Sequence, residues 1–406
     1  MVATQTNRYS TNISQISCQT GELGTDSHPW EQRQLGELYA PSREKNNGAF
    51  SARDIISVAG MRYASRESSN STDDYMRTYN VMRVGDIAFE GHTSNEFAFG
   101  RFVENDLGDG IISHVFVVLR PLPGRRYDLA FWKEAIHDEF LMKRILARST
   151  KRSTMMHEIV VPDFLKEVVA VPSLSEQQKI GQFFSTLDSL IAAAERQEAL
   201  LRQKKQAYLQ LMFPQEGETQ PRLRSNGFSG DWEQRQLGEV AEVVIGQSPE
   251  GRYSSDNQNG VALAQGNTDI ADGVFVPRVW TSRPTKVVPA GTLLVSVRAP
   301  VGDVAVTPVP ACIGRGFAGI PGNSFLRYSL ERLKTSGHWN RVSSGSVLDA
   351  ITSKELLQTP ISIATNQEEQ CIGKFFTRLD HLIGIVGRHA ETLRTMKRAY
   401  SQRMFI

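Results

Sequence analysis

The sequence predicts a mixed α+β protein: two globular α/β domains joined by two long helices that form an antiparallel coiled coil, with internal pseudo-two-fold symmetry. Three observations carry this prediction. WEQRQLGEL at Trp30–Leu38 returns as WEQRQLGEV at Trp232–Val240, with only the last residue changed. IGQFFSTLDSLIAAAERQEALLRQKKQAYLQLMF at Ile180–Phe213 returns as IGKFFTRLDHLIGIVGRHAETLRTMKRAYSQRMF at Ile372–Phe405, without a gap and with 17 of 34 positions identical. Between these repeats lie two stretches that do not align with each other. Both contain short β-branched runs (VVLR, TLLVSV, VAVT) broken by Gly and Pro, the pattern of strands connected by long loops.

Composition sets the bounds. At roughly 100–200 residues per domain, 406 residues allow two to four domains. Hydrophobic residues make up 40% and charged residues 22%, enough to bury real cores. The formal charge is only +2, from 46 basic and 44 acidic side chains, so any nucleic-acid surface has to be local. The cysteines Cys18, Cys312 and Cys371 are widely spaced and form no CxxC pair, which fits a reducing, cytoplasmic setting. No apolar run approaches the roughly 20 residues of a membrane span. Residues 1–29 are polar, rich in Ser and Thr and without a signal-type apolar stretch, and read as a loose tail.

The repeats divide the chain. Residues 30–173 form a first globular domain and 174–213 a central helix. Residues 214–231 form a linker, 232–363 a second globular domain and 364–406 a terminal helix. Trp30 to Phe183 spans 153 positions and Trp232 to Phe375 spans 143, so a repeated frame encloses two different inserts. A period near 200 residues is far too long for a solenoid and points to duplication of a domain with its helix.

Steps of three and four residues along the first helical segment give Phe184, Leu187, Ile191, Ala194, Glu198, Leu201, Lys205, Tyr208 and Met212. The second gives Phe376, Leu379, Ile383, Val386, Ala390, Leu393, Lys397, Tyr400 and Met404. This is a heptad seam, interrupted in each copy by a lysine at the same step. An amphipathic helix packed only on its own domain is the simpler alternative, but both copies keep the same seam. If the seams face each other, the second helix runs back toward the first domain. At 1.5 Å per residue each repeat is about 51 Å long. Trp30 and Trp232 are expected to anchor the first strand of each frame, and Phe183, Phe184, Phe375 and Phe376 to plug each helix into its domain. Arg196, Arg202 and Lys204 read as a solvated helix face. Approximate two-fold symmetry within one chain suits two DNA half-sites.

The chain resembles the specificity subunits of type I restriction–modification systems. The resemblance runs from Trp30 to Phe405. It rests on WEQRQLGE twice, on SEQQKIGQFFSTLDSLI with QEEQCIGKFFTRLDHLI, and on VIGQSPEGRYSS, GTLLVSVRAPVGDVAV, CIGRGFAGI and SGSVLDAIT in the second insert. YNVMRVGDIAFEGHTS and GIISHVFVVLRP in the first insert are similar to another variety of the family's target recognition domain. The residues before Trp30 lack the PRLRSNGFSGD lead-in found before Trp232. The resemblance implies a non-catalytic DNA adaptor. Each recognition domain would read one half of a bipartite site in double-stranded DNA, with the helices as a ruler. Two methyltransferase (modification) subunits would clamp it on DNA, and restriction–translocase subunits would join for cleavage. S-adenosylmethionine and ATP with Mg would be bound by those partners and no cofactor by this chain. No membrane is involved.

The residues agree in lacking catalytic patterns. The sequence contains no GxxxxGK[ST] loop, no Asn/Asp-Pro-Pro-aromatic tetrapeptide, no HExxH and no tight Cys/His group. GRGFAG at Gly314–Gly319 is too short for a nucleotide fingerprint, and PDFLKE at Pro162–Glu167 lacks the acid-x-Lys of a nuclease site.

Candidate reading residues lie in the inserts. Arg62, Tyr63 and Arg66 sit among small polar residues in GMRYASRESSNS, and Arg148, Lys151 and Arg152 sit among hydroxyls in LARSTKRST. In the second insert, Gln247, Ser248 and Arg252 share a Gly/Pro-broken loop, and Arg298 and Arg315 follow strand-like runs. Arg suits guanine and Gln adenine by paired hydrogen bonds, while Lys, Ser and Thr suit phosphate. Any one of them is more often a solvated loop residue, so the cluster outweighs its members. His92 and His114 read as surface or structural histidines. Two other classes stay open: a self-contained DNA-modifying enzyme with an unrecognised motif, and a coiled-coil interaction protein without a DNA role.

Overall fold

The computed structural model describes residues 30–64, 72–124, 127–153, 156–343 and 350–405. Four helices organise the chain: α1 (Leu129–His137), α2 (Leu174–Leu211), α3 (Ser324–Thr335) and α4 (Asn366–Met404). The chain separates into two compact units, Met1–Leu190 with Leu393–Ile406, and Ile191–Thr392. Each long helix contributes one end to each unit. Among the described residues the structure is a mixture of helix and sheet, with no closed barrel.

The repeated WEQRQLGE builds the same device in both units. Glu31–Gln34 pairs antiparallel with Val168–Val171, and Glu233–Gln236 pairs antiparallel with Pro360–Ile363. In each case the partner strand leads directly into a long helix, so one short ladder ties the start of a domain to the root of its helix. The LGE segment after each strand turns inward. Leu35 and Leu237 are fully buried. Leu35 N donates to Glu167 O at 2.8 Å and Leu237 N to Thr359 O at 2.9 Å. A Cβ on Gly36 would stand 3.0 Å from the Leu165 carbonyl, and one on Gly238 would stand 2.9 Å from Leu357 Cδ2, so glycine eases the close approach at this crossing.

The inserts differ, as their sequences do. In the first unit an antiparallel sheet has the order Tyr39–Pro41, Val118–Pro121, Ile87–Glu90, Arg101–Glu104. Its core gathers Ile56, Val58, Met82, Ala88, Val103, Ile112 and Val118. In the second unit a six-stranded and a five-stranded sheet each mix one parallel pairing with antiparallel ones. Leu293, Val295, Ala318 and Ile320 share a core with Leu326 and Leu330 of α3.

Within each unit the long helices run antiparallel. In the first, Phe183 meets Tyr400 and Asp188 meets Lys397. In the second, Tyr208 meets Phe375, Lys205 meets Asp380, and Glu198 lies against Gly387. On α2 the seam residues Phe184, Leu187, Ala194 and Met212 are buried, and Ile191, Glu198, Leu201, Lys205 and Tyr208 are half-buried. On α4, Phe376, Ile383, Val386, Ala390 and Leu393 are buried, and Leu379, Lys397, Tyr400 and Met404 are half-buried.

One expectation needs correction. Phe375 does not plug its domain; it is 36% exposed, and its ring packs edge-on against Tyr208 at 5.2 Å. Phe183 makes the equivalent edge contact with Tyr400 at 5.1 Å. The second phenylalanine of each pair is the plug. Phe184 stacks on Phe405 near Trp30 and Phe131, and Phe376 lies near Phe213 beside Trp232 and Phe325. The helix turns about 100° per residue, so adjacent phenylalanines cannot share one face. The terminal Phe of each repeat therefore completes an aromatic cluster at the root of the other long helix.

Candidate nucleic-acid interface

In the second unit, Gln247 and Ser248 leave the strand Val244–Ile245 and are pinned to the turn after Ala311–Ile313. Gln247 N donates to Ile313 O at 2.9 Å, and Ser248 Oγ accepts from Arg315 N at 3.1 Å. The segment bearing Arg298 joins them, since Val297 N donates to Gly316 O at 2.9 Å. Gln247, Arg298 and Arg315 are exposed and Ser248 is half-buried. The structure thus brings together four sequence candidates from three loops, held by backbone bonds that leave the Gln and Arg side chains free to point outward. Among the described residues no carboxylate engages Arg298 or Arg315.

Arg252 sits on the adjoining loop. It pairs with Glu250 at 2.7 Å and lies over the Tyr253 ring at 4.8 Å. Arg283, which sequence reasoning missed, lies over the same ring at 4.4 Å. Thirty positions separate Tyr253 from Arg283, and nothing in the local pattern SRPTK announces that they meet.

In the first unit, Arg62 and Tyr63 are exposed on a hairpin with Ile56–Ser57. Lys151 and Arg152 are exposed on a second hairpin, Thr150–Arg152 with His157–Ile159. Both abut one end of the sheet. The Arg101 guanidinium donates to Ala59 O at 2.6 Å beside the first hairpin. Arg101 is in register with Glu90, and Gly91 O accepts from His157 N at 2.8 Å beside the second. Two stacks missed from sequence stand here, Arg101 over Phe97 at 4.9 Å and Phe99 on His157 at 5.7 Å. Arg148 is not with this group. It lies where the second hairpin begins, and its Nε donates to Glu167 at 2.9 Å, so its guanidinium is already engaged. Arg66 lies outside the described residues. His92 is exposed with Nδ1 2.5 Å from Glu90 Oε1, and His114 stands edge-on to Tyr75 at 5.9 Å.

Behind these surfaces the two units use the same electrostatic fastener. The seam lysines are paired rather than bare. Lys397 reaches Asp188 at 2.7 Å and Glu134 of α1 at 3.0 Å. Lys205 reaches Asp380 at 2.7 Å and Glu331 of α3 at 2.6 Å. Each lysine thereby bonds the opposite long helix and the domain helix at once. Burial raises the Glu134 pKa, and Lys397 opposes that shift. Arg202 is more than a solvated residue: it bonds Glu198 and Asp272 of the Asp-Gly hairpin. Repeated glycines permit the docking. A Cβ on Gly181 would lie 2.8 Å from Phe131 N of α1, and one on Gly373 would lie 3.1 Å from Phe325 N of α3.

Deeper in the first unit, Glu104 is fully buried. Burial pushes its carboxyl up to about 9, so it is protonated at neutral pH. Tyr127 donates to it at 2.7 Å, and Tyr127 and Tyr39 share a hydrogen bond at 2.8 Å. Glu104 and Tyr39 are buried, and Tyr127 beside them is half-buried. Among the described residues no group of three or more His, Cys, Asp or Glu is placed to hold a metal, and no helix is long and apolar enough to cross a membrane.

Residues 229–394 match the model of the type I restriction modification DNA specificity domain. A specificity subunit assigned to the type I restriction enzyme MjaX of Methanocaldococcus jannaschii is 28% identical over 334 residues, covering 78% of this chain and 76% of the relative. The MjaIX specificity subunit of the same organism is 22% identical over 172 residues, covering 38% of this chain and 39% of the relative. Among solved structures, the S subunit from M. genitalium superposes with a TM-score of 0.58 at 13% identity, over 94% of this chain and 97% of that one. A chain from a study of complex assembly and conformational transition in a type I R-M system gives 0.58 at 23% identity, over 94% and 99%. These two likenesses speak for the fold. The sequence match falls on the second copy of the frame, and the structure repeats that frame around the first insert. Residues 229–394 thus carry the likeness of a type I restriction modification DNA specificity domain, and most of the chain is similar to a type I restriction enzyme specificity subunit.

Proposed function

We propose that each of the two inserts reads one half of a bipartite site in double-stranded DNA, and that the paired helices set the spacer and dock two methyltransferase subunits. The observation that carries this reading is one frame, strand for strand, around two unlike inserts, the first exposing Arg, Tyr and Lys on two hairpins and the second exposing Gln and Arg on loops. A shared frame with divergent loops suits a common assembly that presents different chemistry to different base edges. In the second unit Gln247, Arg298 and Arg315 are the base-reading candidates. In the first unit Arg62, Tyr63, Lys151 and Arg152 take that place, the lysine suiting phosphate. Methyl transfer and ATP-driven restriction belong to partner subunits, which bring S-adenosylmethionine and ATP with Mg.

Two assays of the purified chain test this. Its affinity for duplex DNA should fall steeply with salt. Incubated with labelled methyl donor and genomic DNA, the chain alone should transfer no label, and adding the methyltransferase subunit should restore transfer. Label transferred by the chain alone would overturn the adaptor reading.

A further inference from the structure

We propose that Arg283 is a positioning residue that grips a DNA phosphate beside the second unit's reading loops. The inference rests on the DNA-reading role proposed above and adds a residue and a chemical task to it. Two arginines, Arg252 and Arg283, lie over one tyrosine ring, at 4.8 and 4.4 Å from its centroid. They are not equivalent. Arg252 has the Glu250 carboxylate at 2.7 Å, whereas no carboxylate engages Arg283 among the described residues. Arg283 is exposed, and its contact with the ring reduces its rotamer freedom while leaving the guanidinium open to an incoming anion. That is the geometry of a preorganised anion contact.

Its placement relative to the reading loops is fixed on both sides. Ser282 N donates to Tyr253 O at 2.9 Å, and the Thr285 hydroxyl donates to the carbonyl of Gln247. Arg283 N donates to Thr281 Oγ1 at 3.3 Å, and Thr281 is fully buried in the sheet. Arg283 therefore stands on a strap between the tyrosine loop and the backbone of Gln247. A phosphate held there would fix the register in which Gln247 and Arg315 meet the bases, without carrying sequence information itself. The same geometry moves Arg252 away from base reading: its role is to hold the ring and balance its own charge on Glu250.

The test uses the purified full chain and a panel of duplexes of different sequence, with binding to each measured by fluorescence anisotropy from about 50 to 200 mM salt. Arg283→Ala should weaken binding to every sequence alike and flatten the plot of log K against log salt by about 0.9, the contribution of one phosphate. Arg283→Lys, which keeps the charge and loses the planar guanidinium, should restore the slope but only part of the affinity. Arg315→Ala serves as the contrast, with a loss that depends on sequence. An Arg283→Ala slope and affinity equal to wild type, or a loss confined to one base sequence, would overturn the phosphate role while leaving the DNA reading intact. A wild-type chain whose binding ignores salt would overturn the reading itself.

Discussion

Glu104 shows what a single buried side chain costs this protein. Its carboxyl titrates at about 9 because burial penalises the charged form, and among the described residues one of its oxygens has no hydrogen-bond partner. Between the ordinary carboxylate range and about pH 9 the unfolded chain releases a proton that the folded chain keeps. Stability from this group is therefore greatest in acid, falls as pH rises through that window, and levels off above it. Each pH unit above the ordinary carboxylate value costs about 1.4 kcal/mol, so the penalty at pH 7 is on the order of 3 kcal/mol. Glu104→Gln keeps the size and the acceptor for Tyr127 and removes the titration. Its thermal midpoint should exceed wild type at pH 8.5 and approach it at pH 5. Melting curves that stay parallel across this range would contradict the assignment. None of this was legible in DLGDG and its neighbours, because burial of one acid depends on a sheet assembled from distant strands. The candidate clusters proposed to read DNA were partly legible as exposed groups. Gln247, Ser248, Arg298 and Arg315 could be named from Gly/Pro-broken loops, but Arg283 could not, since its partner Tyr253 is a tertiary neighbour. Arg148 looked the same as Lys151 and Arg152 in sequence, and Glu167, nineteen positions on, separates them.

At the scale of elements, the long helices were the most legible part, because a seam repeated in two copies is difficult to produce by chance. Two helix residues were misjudged: Phe375 is exposed and packs on Tyr208, and Arg202 pairs with Glu198 and Asp272. The seam lysines had a visible position but invisible partners. Lys397→Met would leave Glu134 and Asp188 without their cation. Glu134 is largely buried, so the loss should be about 1–3 kcal/mol at pH 8. Burial already raises the pKa of Glu134 and Lys397 holds it down; without the lysine it takes a proton more readily. The gap between variant and wild-type denaturation midpoints should therefore narrow toward pH 5. A gap independent of pH would show that the lysine acts through packing alone. Helix length makes a separate prediction. Ala199 is exposed on α2, and four residues inserted there add about 6 Å if the helix continues. With about 3.4 Å per base pair, the spacer between half-sites should grow by one or two pairs while the half-site letters stay the same. An active insertion variant with an unchanged spacer would show that something other than these helices sets the distance.

For the whole molecule, the central claim is modularity: one frame, built twice, holding two independent readers. The frame is legible because its demands are local and strict. A strand, a buried leucine and a glycine that admits a crossing chain must recur wherever the device recurs. The inserts are not legible to the same degree, since their sheets pair distant strands in orders that no local pattern specifies. The frame also shows where a graft must be cut. Val168–Val171 pairs with Glu31–Gln34, so replacement of residues 39–167 by the recognition domain of another specificity subunit leaves both frame strands in place. The direct measurement is a map of methylated adenines in a host that expresses the chimera with the methyltransferase subunits. One half of the methylated motif should change to that of the donor domain, with the other half as in wild type. A motif altered in both halves, or in neither while methylation persists, would contradict the account.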